Sequence, residues 1–372
     1  MKITDVQAIV LRQPTMDVSK ADGSQDALLI RIETDEGITG IGEVDSLPPV
    51  VKAIVEAPPS HAIASGLRHL LLGENPLEID RLWRTLYRGS IYYGRQGPAI
   101  HAISGIDIAL WDIKGKALGQ PIHRLLGGPH RTEVRAYAST LMPDTPEETA
   151  AVVAGLVERG FTAVKLGWGP FGRDADLDVA LVRAAREAAG DGVDLMFDIG
   201  LGWPDADHAI RQVRRFEPYR PYWVEEPLWP DDVAGYRKLA DAVETRIACG
   251  EEDATRWGFD LLMERAGVDV IQPDVTRAGG ISECVRIAQL AELRGVQMVP
   301  HSWSTGIIKA ASLHVIGAMP HATFLEYCVQ ETALNQLLTV ERFPVVDGMV
   351  ALPEGPGLGI EIDEEVVKRY AV

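Results

Sequence analysis

Seven short apolar runs, each with a polar residue at or near its end, decide the fold of this 372-residue chain. In order they read AVKL (163–166), LMFD (195–198), YWVEE (222–226), IACGEE (247–252), VDVIQPD (268–274), VQMVPH (296–301) and ATFLE (322–326). They recur roughly every 25 residues or a little more, the length of one strand, one helix and two loops. This repetition predicts an α/β fold, a (β/α)7–8 barrel of the TIM type with its chemistry on one rim. The polar residues are Lys165, Asp198, Glu225, Glu251, Asp274, His301 and Glu326.

Three consecutive strand ends carry carboxylates, namely Asp198, Glu225 and Glu251. A barrel places them side by side on its rim, where three like charges repel unless a cation lies between them. The number and hardness of the oxygen ligands favour Mg²⁺, with positions left for substrate oxygens. Glu226 and Glu252 could exchange roles with their neighbours, but strand alternation turns one member of each pair toward the metal. The alternative is that each carboxylate is a solvated loop residue or a helix N-cap.

A histidine and an aspartate end two neighbouring strands, at His301 and Asp274. Adjacent strands bring them within reach of a carboxylate–imidazole hydrogen bond. Such a bond sets the histidine tautomer and raises its basicity. A lone histidine is more often structural, but the matched aspartate favours a catalytic base.

A lysine, Lys165, ends an otherwise apolar strand at the same level. A buried ammonium group is costly unless it meets an anion. We predict that Lys165 stabilises negative charge that develops on a substrate carboxylate, and an ion pair with a metal-ligand carboxylate is a compatible alternative. Glu326, on the last strand, donates or accepts a hydrogen bond to the same oxygen, and donation would require a protonated carboxyl group.

The charge and composition exclude several classes of partner. The formal net charge is -18 and the pI is about 4.9, without a run of Lys or Arg to offset them. We therefore expect no binding to nucleic acid or to an anionic membrane surface. The sequence has no apolar stretch near the roughly 18 residues that a membrane span needs. A P-loop, a dinucleotide fingerprint and a GxSxG nucleophile elbow are also absent from the sequence.

The cysteines and the N-terminal residues indicate the cellular compartment in which the protein is expected. Cys249, Cys284 and Cys328 are far apart, odd in number and without metal-ligand spacing. They are typical of small core residues in a reducing compartment. The opening MKITDVQAIV is too short and too polar for a signal peptide. We expect a cytoplasmic protein.

The pattern of the chain changes near residue 128. Before it, three alternating strand-like runs and a helical region from about Ser60 to Lys116 predict an α+β capping domain over residues 1–128. After it, strand and helix patterns alternate, which predicts a barrel catalytic domain over 129–345. The segment from about 346 to 372 is rich in turns and is predicted to complete the capping domain.

Two segments of the capping region are predicted to be loops that cover a binding site. QPTMDVSKADGSQD (13–26) is polar and rich in small residues, and DSLPPVVKAIVEAPPS (45–60) contains two proline pairs. We expect the substrate's length and stereochemistry to be recognised by residues between Asp17 and Asp26, by the second loop, and by Tyr92, Tyr93 and Arg95.

Taken together, these motifs resemble the mandelate racemase subgroup of the enolase superfamily over nearly the whole chain. AISGIDIALWDIKGKALGQPIHRLLGG (102–128) is similar to the subgroup's N-terminal signature. VEEP, GEE, QPD followed by GG, VPH and FLE are similar to its barrel-strand motifs in order, and PEGPGLGI (353–360) to its C-terminal motif.

The resemblance implies a shared half-reaction, in which a base removes the proton α to a carboxylate. It implies that Asp198, Glu225 and Glu251 hold Mg²⁺ and that Lys165 and Glu326 help to stabilise the enediolate. It also implies a homo-oligomer of unspecified size.

Two departures from the family pattern reduce the number of reactions that the site could catalyse. Where the family often has Lys-x-Lys, this chain has Lys165-Leu-Gly167, and where it usually has Asp-x-Asn, this chain has Asp198-Ile-Gly200. Gly167 cannot be a base, so a two-base racemisation lacks its partner unless Tyr137 or another rim group replaces it.

The remaining His301–Asp274 pair suits a one-base reaction. We expect dehydration of an aldonic or aldaric acid to a 2-keto-3-deoxy acid, with His301 taking the α-proton and returning it to the leaving β-hydroxyl. The alternatives are a cycloisomerase or epimerase of a sugar acid or its lactone, and a non-catalytic binding protein of the same fold. Candidate substrate contacts are Trp168, Phe171, Trp303, Tyr137 and Arg277.

Overall fold

The protein, described by a computed structural model over residues 1–61 and 63–372, begins with an antiparallel sheet. The strands are β1 (Ile3–Arg12), β2 (Asp26–Thr34) and β3 (Thr39–Val44), in the order β1-β2-β3. This is the predicted meander, with Gly37 in the left-handed turn between β2 and β3 at a φ of 78°.

Five helices follow the sheet. They are α1 (Pro48–Glu56), α2 (Leu67–Leu71), α3 (Ile79–Gly94), α4 (Pro98–Leu118) and α5 (Ile122–Leu125). Of these, α1, α2 and α4 pack against the sheet. The prediction of a loop over 45–60 is wrong in its middle, which forms α1. Its first proline pair, Pro48–Pro49, lies in the first turn of α1, where backbone N–H groups have no intrahelical partner. Val51 and Val55 are buried, and the second pair, Pro58–Pro59, follows the helix.

Helix α4 meets strand β3 backbone to backbone. A Cβ atom added to Gly42 would lie 2.0 Å from the carbonyl oxygen of Gly105, and one added to Gly40 would lie 2.2 Å from that of Ala109. Only glycine fits at such distances. The close packing sets the position of the chain that leaves β3, which continues toward the barrel.

The second unit is the predicted barrel. Residues 129–372, all described, contain eight parallel strands in the order β10-β9-β8-β7-β6-β5-β4-β11, with the bridge Met298–Ala322 between the two ends. The strands are β4 (Glu133–Leu141), β5 (Ala163–Gly167), β6 (Asp194–Asp198), β7 (Trp223–Glu225), β8 (Arg246–Cys249), β9 (Val270–Ile271), β10 (Gln297–Met298) and β11 (Phe324–Cys328).

One helix joins each pair of successive barrel strands. These are α6 (Pro146–Glu158), α7 (Ala175–Ala189), α8 (Ala206–Phe216), α9 (Val233–Ala240), α10 (Thr255–Arg265), α11 (Gly280–Arg294) and α12 (Gly306–Ala318). The predicted (β/α)7–8 architecture is confirmed, and the carboxyl ends of the strands form one rim.

The C-terminal segment contacts both units. After α13 (Ala333–Leu337), strand β12 (Met349–Ala351) pairs antiparallel with β4 of the barrel. Further on, Gly357 bridges to Pro121, and the residue after α14 (Glu364–Tyr370) bridges to Leu11 of β1. The segment from 346 therefore starts on the barrel and reaches the capping region only in its later part.

The hydrophobic cores do not divide cleanly near residue 128. One lies between the antiparallel sheet and α1–α4, and another lies between the barrel strands and their helices and extends to Leu11, Leu29 and Ile41 of the antiparallel sheet. A third, smaller core fills the inside of the barrel with Tyr137, Met196, Trp223 and Phe324. Among the described residues, none of the helices combines the length and the apolar character that crossing a membrane would need.

A buried histidine pair joins α5, α12 and the C-terminal segment. The Nδ1 atoms of His123 and His314 are 3.1 Å apart, and His314 Nε2 lies 3.1 Å from the carbonyl oxygen of Leu358. Because His314 Nδ1 accepts the backbone N–H of His123 at 3.2 Å, His314 is neutral and carries its proton on Nε2, which donates to the Leu358 carbonyl. Burial lowers the pKa of His314 to about 3.

We predict that His314 makes the protein sensitive to acid. An unfolded histidine titrates near pH 6.5, so between that value and about pH 3 the unfolded chain binds the extra proton. The stability that His314 contributes is complete above about pH 6.5 and is lost as the pH falls. Between about pH 7.5 and about pH 5, the native chain should lose roughly 2 kcal/mol more unfolding free energy than His314→Gln.

Urea unfolding at the two pH values measures this difference. The exposed His69→Gln is the control and should behave as the native chain does. An equal loss in native and His314→Gln proteins would contradict the prediction.

Candidate active site

The strand register brings three carboxylates together on the rim. Asp198 of β6 is aligned with Gly167 of β5 on one side and with Glu225 of β7 on the other. Glu251 follows the end of β8. One oxygen from each of the three carboxylates lies within 4.8 Å of the others, and all three side chains are buried.

This cluster fits a divalent cation. Burial and the neighbouring Glu225 raise the pKa of Asp198 well above its ordinary value, and burial raises that of Glu225 against the effect of Lys165. Carboxylates that repel at this distance are stable as anions only with positive charge between them. Hard oxygen donors suit a hard cation, so Asp198, Glu225 and Glu251 are the residues that would hold it.

Glu225 is fixed in place by its neighbours. Its Oε2 atom accepts hydrogen bonds from Trp223 Nε1 at 2.8 Å and from Gln272 Nε2 at 2.7 Å. Its Oε1 atom contacts the ammonium group of Lys165. The next residue, Glu226, instead accepts from the backbone N–H of Gly250 at 3.2 Å. The carboxylate of Glu225 therefore has one defined orientation toward the rim.

Lys165 is an ammonium group held between two carboxylates. Besides Glu225, it contacts Glu326 Oε1 at 2.8 Å. Burial lowers the pKa of Lys165, but these two carboxylates outweigh burial and raise the pKa well above its ordinary value. Lys165 therefore stays charged.

Glu326 is an acceptor in this site. It accepts from Ser139 Oγ at 2.7 Å and from the backbone N–H of Ser302 at 2.8 Å. Although burial raises its pKa, Lys165 and His301 outweigh burial and lower the pKa to about 2. The expectation that Glu326 could donate a hydrogen bond is therefore disfavoured, because its carboxyl group is ionised.

His301 and Asp274 meet as expected from neighbouring strand ends. His301 Nδ1 lies 2.6 Å from Asp274 Oδ2, and Asp274 Oδ1 accepts from both the N–H and the hydroxyl of Thr276 at 2.6 Å. His301 Nε2 faces the carboxylate cluster, 3.2 Å from Glu251 Oε2. The imidazole thus has a fixed orientation with Nε2 toward the reacting region.

Charge controls the basicity of His301. Burial lowers its pKa, but Glu251, Glu326 and Asp274 outweigh burial and raise the pKa to about 10. When a cation offsets the charge of Glu251, this effect weakens and the pKa falls toward the range of a base that works near neutrality.

A cavity of about 120 Å³ opens between the rim and the capping region. Trp168, Trp303 and Arg277 line it, as does the first predicted covering loop through Ala21 and Gly23. Trp303 Nε1 donates to Asp22 Oδ1 of that loop at 3.3 Å. Both units of the chain therefore enclose the site.

Two expected substrate contacts lie elsewhere. Tyr137 is fully buried inside the barrel, packed against Trp223 and Phe324, with its ring centroid 5.7 Å from Lys165 Nζ. It supports Lys165 from within the barrel and does not line the cavity. Phe171 packs against Phe197 in the outer core, because the chain turns inward after Trp168.

The two glycines that depart from the family pattern belong to one packed unit. A Cβ atom on Gly167 would lie 2.6 Å from the Cβ of Asp198, and one on Gly200 would lie 2.7 Å from the indole of Trp168. Trp168 and Gly200 both have positive φ, at 58° and 60°. The indole thus occupies the volume where a side chain at 200 would stand, so neither position can hold a second base here.

Sequence reasoning missed three residues that line the cavity at the end of β4, namely Ser139, Thr140 and Leu141. Asp45 was included only as the first residue of the second covering segment. It follows β3, and its Oδ2 accepts from Arg277 Nη2 at 2.8 Å, whereas Arg277 Nη1 lies 3.4 Å from Glu251 Oε1. Burial raises the pKa of Asp45, and the Arg277 guanidinium opposes that shift.

The geometry defines a class of enzyme. A barrel rim that combines three carboxylates, a charged lysine and a histidine–aspartate pair can remove a proton next to a carboxylate and stabilise the resulting anion. Residues 148–366 match the profile of the enolase C-terminal domain-like family, and residues 2–127 match that of the mandelate racemase / muconate lactonizing enzyme N-terminal domain. The chain belongs to the mandelate racemase subgroup of the enolase superfamily, whose members use a divalent metal.

Similar proteins include enzymes of two reaction types. The chain is 38% identical to the D-galactonate dehydratase of Pectobacterium atrosepticum, with 91% of this chain and 90% of that protein covered. It is 34% identical to the D-galactarolactone cycloisomerase of Agrobacterium fabrum, covering 100% and 99%. The solved 3,6-anhydro-D-galactonate cycloisomerase of Zobellia galactanivorans superposes with a TM-score of 0.91, at 31% identity over 100% of each chain.

We predict that Asp198→Asn does not lower the stability of the metal-free protein but weakens its stabilisation by a divalent cation. With one charge removed, the metal-free variant should melt at or above the native temperature, because buried like charges no longer repel. Addition of Mg²⁺ or Mn²⁺ should raise the melting temperature of the native protein by several degrees and that of the variant by much less.

Thermal unfolding with and without the cation measures both effects. Asp191→Asn, whose carboxylate is exposed, is the matched control and should keep the native response. The same cation-induced shift in native protein and Asp198→Asn would show that this cluster does not hold the ion.

Proposed function

We propose that this protein is an Mg²⁺-dependent acid-sugar dehydratase. The observation that carries the proposal is the position of His301, held by Asp274 at 2.6 Å and facing the carboxylate cluster at 3.2 Å. Glycines at 167 and 200 leave those positions without a second base. One base of this kind suits a β-elimination, in which a single group acts first as base and then as acid.

The first step is removal of the proton α to the substrate carboxylate. His301 Nε2 takes this proton, and Asp274 stabilises the imidazolium that forms. The ammonium of Lys165 lies close to where negative charge develops on the carboxylate, and Glu326 holds that ammonium in position. The divalent cation, when bound, supplies further positive charge to the same carboxylate.

The second step is departure of the β-hydroxyl. His301, now protonated, gives its proton to the leaving oxygen, and water is lost from the same face of the substrate. The enol that results becomes a 2-keto-3-deoxy acid. These two steps need no other acid, because His301 returns the proton that it removed in the first step.

The relatives support both this reaction and one alternative. Several relatives that are 36–38% identical are D-galactonate dehydratases. The cycloisomerases favour the second candidate, because their similarity extends over the whole chain. In such a reaction the leaving group is a ring oxygen, and a lactone oxygen leaves as a carboxylate that needs no general acid. His301 would again be the base, and Lys165 and the cation would again stabilise the negative charge on the substrate carboxylate.

The mass of the product separates the two candidates. Aldonic acids, aldaric acids and their lactones would be incubated with the Mg²⁺-loaded protein in D₂O and followed by proton NMR and mass spectrometry. Dehydration removes one water from the substrate, whereas cycloisomerisation keeps the elemental composition. Absence of both product and α-proton exchange would contradict the proposed chemistry and favour a binding protein.

We predict that His301→Asn abolishes exchange of the α-proton with solvent. Asparagine keeps much of the shape but cannot accept the proton, so the exchange rate should fall by at least about 10³-fold. Proton NMR in D₂O measures exchange directly, and the metal-induced thermal shift should persist because the three carboxylates remain. The buried His314→Gln, remote from the cavity, is the control. Exchange at the native rate in His301→Asn would exclude this base.

Three further features are part of the proposal. The sequence-based expectation of a homo-oligomer is kept, since the capping region exposes Leu47, Tyr92 and Tyr93. Cytoplasmic location is supported by three free, buried cysteines. The acidic net charge supports the expectation of no nucleic-acid or membrane partner.

A further inference from the structure

A lysine of helix α12, Lys309, is buried without a carboxylate partner. Its side chain is only 4% exposed. The ammonium group donates to Asn335 Oδ1 at 2.7 Å and lies 4.5 Å from the ring centroid of Tyr327. Over the described chain, no carboxylate oxygen lies within 4.0 Å of this ammonium group. Because a buried charge is costly when it is unpaired, Lys309 carries a charge that the protein itself does not offset.

The neutral partner of Lys309 has a fixed orientation. Asn335 Nδ2 donates to the backbone carbonyls of Gln330 at 2.6 Å and of Cys328 at 3.3 Å, and these bonds turn Oδ1 toward the ammonium group. An ammonium group has three N–H donors. The amide oxygen uses one of them and the ring of Tyr327 can accept a second. At least one donor is therefore available to another acceptor.

This ammonium group borders a cavity of about 190 Å³ between α12, the end of β11 and residues 335–344. The cavity shares none of its lining residues with the cavity at the catalytic rim. Its volume suits a ligand smaller than a drug-sized molecule. The polar side chains that line it are those of Lys309, Tyr327, Asn335, Gln336, Thr339, Glu341 and Arg342.

A second cation, Arg342, borders the same cavity. Its Nη1 atom donates to the backbone carbonyls of Thr339, Val340 and Glu341. In the part of the chain that the structure describes, none of the hydrogen bonds uses its Nε or Nη2 atom, and no carboxylate lies within 4.0 Å of its guanidinium. The planar guanidinium group binds carboxylates and phosphates through donors of this kind.

The charges that line the cavity favour an anion. Its one carboxylate, that of Glu341, accepts the backbone N–H of Glu361 at 2.6 Å, so the lining has two positive side chains and one negative side chain. This balance is opposite in sign to the net charge of -18 on the whole chain. Burial lowers the pKa of Lys309, and the opposing effects of Cys328 and Glu43 do not offset it. A bound anion would supply the missing negative charge.

We infer that this cavity is a binding site for a small oxyanion, either a phosphate group or a carboxylate. Lys309 contributes a charged donor from the buried side of the cavity, and Arg342 contributes guanidinium donors from the exposed side. Because the anion binds the folded chain, it stabilises the protein against unfolding. The site is separate from the catalytic rim and does not depend on the proposed function.

Thermal unfolding of the metal-free protein tests the inference. Removal of divalent cations on a chelating resin leaves the catalytic rim as a cluster of carboxylates, which repels anions. Inorganic phosphate and acetate are the probes, and each is compared with chloride at equal ionic strength. At least one of them, at about 10 mM, should raise the melting temperature by roughly 2 °C or more. The probe with the larger shift shows whether the site prefers a phosphate group or a carboxylate.

Three variants assign the shift to this cavity. Lys309→Met keeps the length of the side chain without its charge and should weaken binding of the anion at least about tenfold, as judged by titration of the shift. Arg342→Gln, at an exposed position, should weaken binding about threefold or more. Lys238→Met, which removes an exposed lysine of α9 that pairs with Asp207, is the charge-matched control and should keep the native affinity.

Two outcomes would overturn the inference. Equal melting temperatures of the native protein in phosphate, acetate and chloride would exclude the site without reference to any variant. The same anion-induced shift in native protein and Lys309→Met would place the anion elsewhere and leave Lys309 only as a brace between α12 and Asn335. If Lys309→Met does not fold, Arg342→Gln decides the question, and native affinity in that variant overturns the inference.

Discussion

The mutual repulsion of buried carboxylates at one barrel rim is the constraint on which the rest of this structure depends. Asp198, Glu225 and Glu251 lie within 4.8 Å of one another, with Glu326 and Asp274 close by. Such an arrangement exists only because positive groups are placed between its members. Lys165 lies between Glu225 and Glu326, and Arg277 lies near Glu251 and Asp274. The geometry of Asp198, Glu225 and Glu251 suits a divalent cation.

The same charges determine the chemistry of the site. Carboxylates raise the pKa of His301 and keep Lys165 charged, so a change in charge at the cluster changes the basicity of the imidazole. Binding of the cation and activation of the base are therefore coupled through ordinary electrostatics. The backbone around these groups is equally constrained, since Gly167 and Gly200 leave room only for Asp198 and the Trp168 indole.

Much of the fold and most of the candidate catalytic residues could be predicted from the sequence, because each strand of the barrel has its own short sequence pattern. Each apolar run with a polar end is a complete signal within about six residues, and parallel strands align those ends on one rim. The structure of the segment 45–60 was harder to predict from the sequence. Its first proline pair is typical of a loop but also suits the first turn of α1. Tyr137 was placed in the cavity because the sequence does not show how deep a strand residue lies.

By itself, the sequence determined the barrel, the order of its rim residues and the absence of a second base at position 167, because these depend on local pattern and residue identity. Only the tertiary structure decided which carboxylate oxygens converge, that Glu326 is an ionised partner of Lys165, and that Asp45 closes the cavity against Arg277. Asp45 and Arg277 are 232 residues apart. Their contact arises from the packing of the capping unit on the barrel. Contacts between residues so far apart produce no periodic pattern in the amino-acid sequence, so they could not be predicted from it.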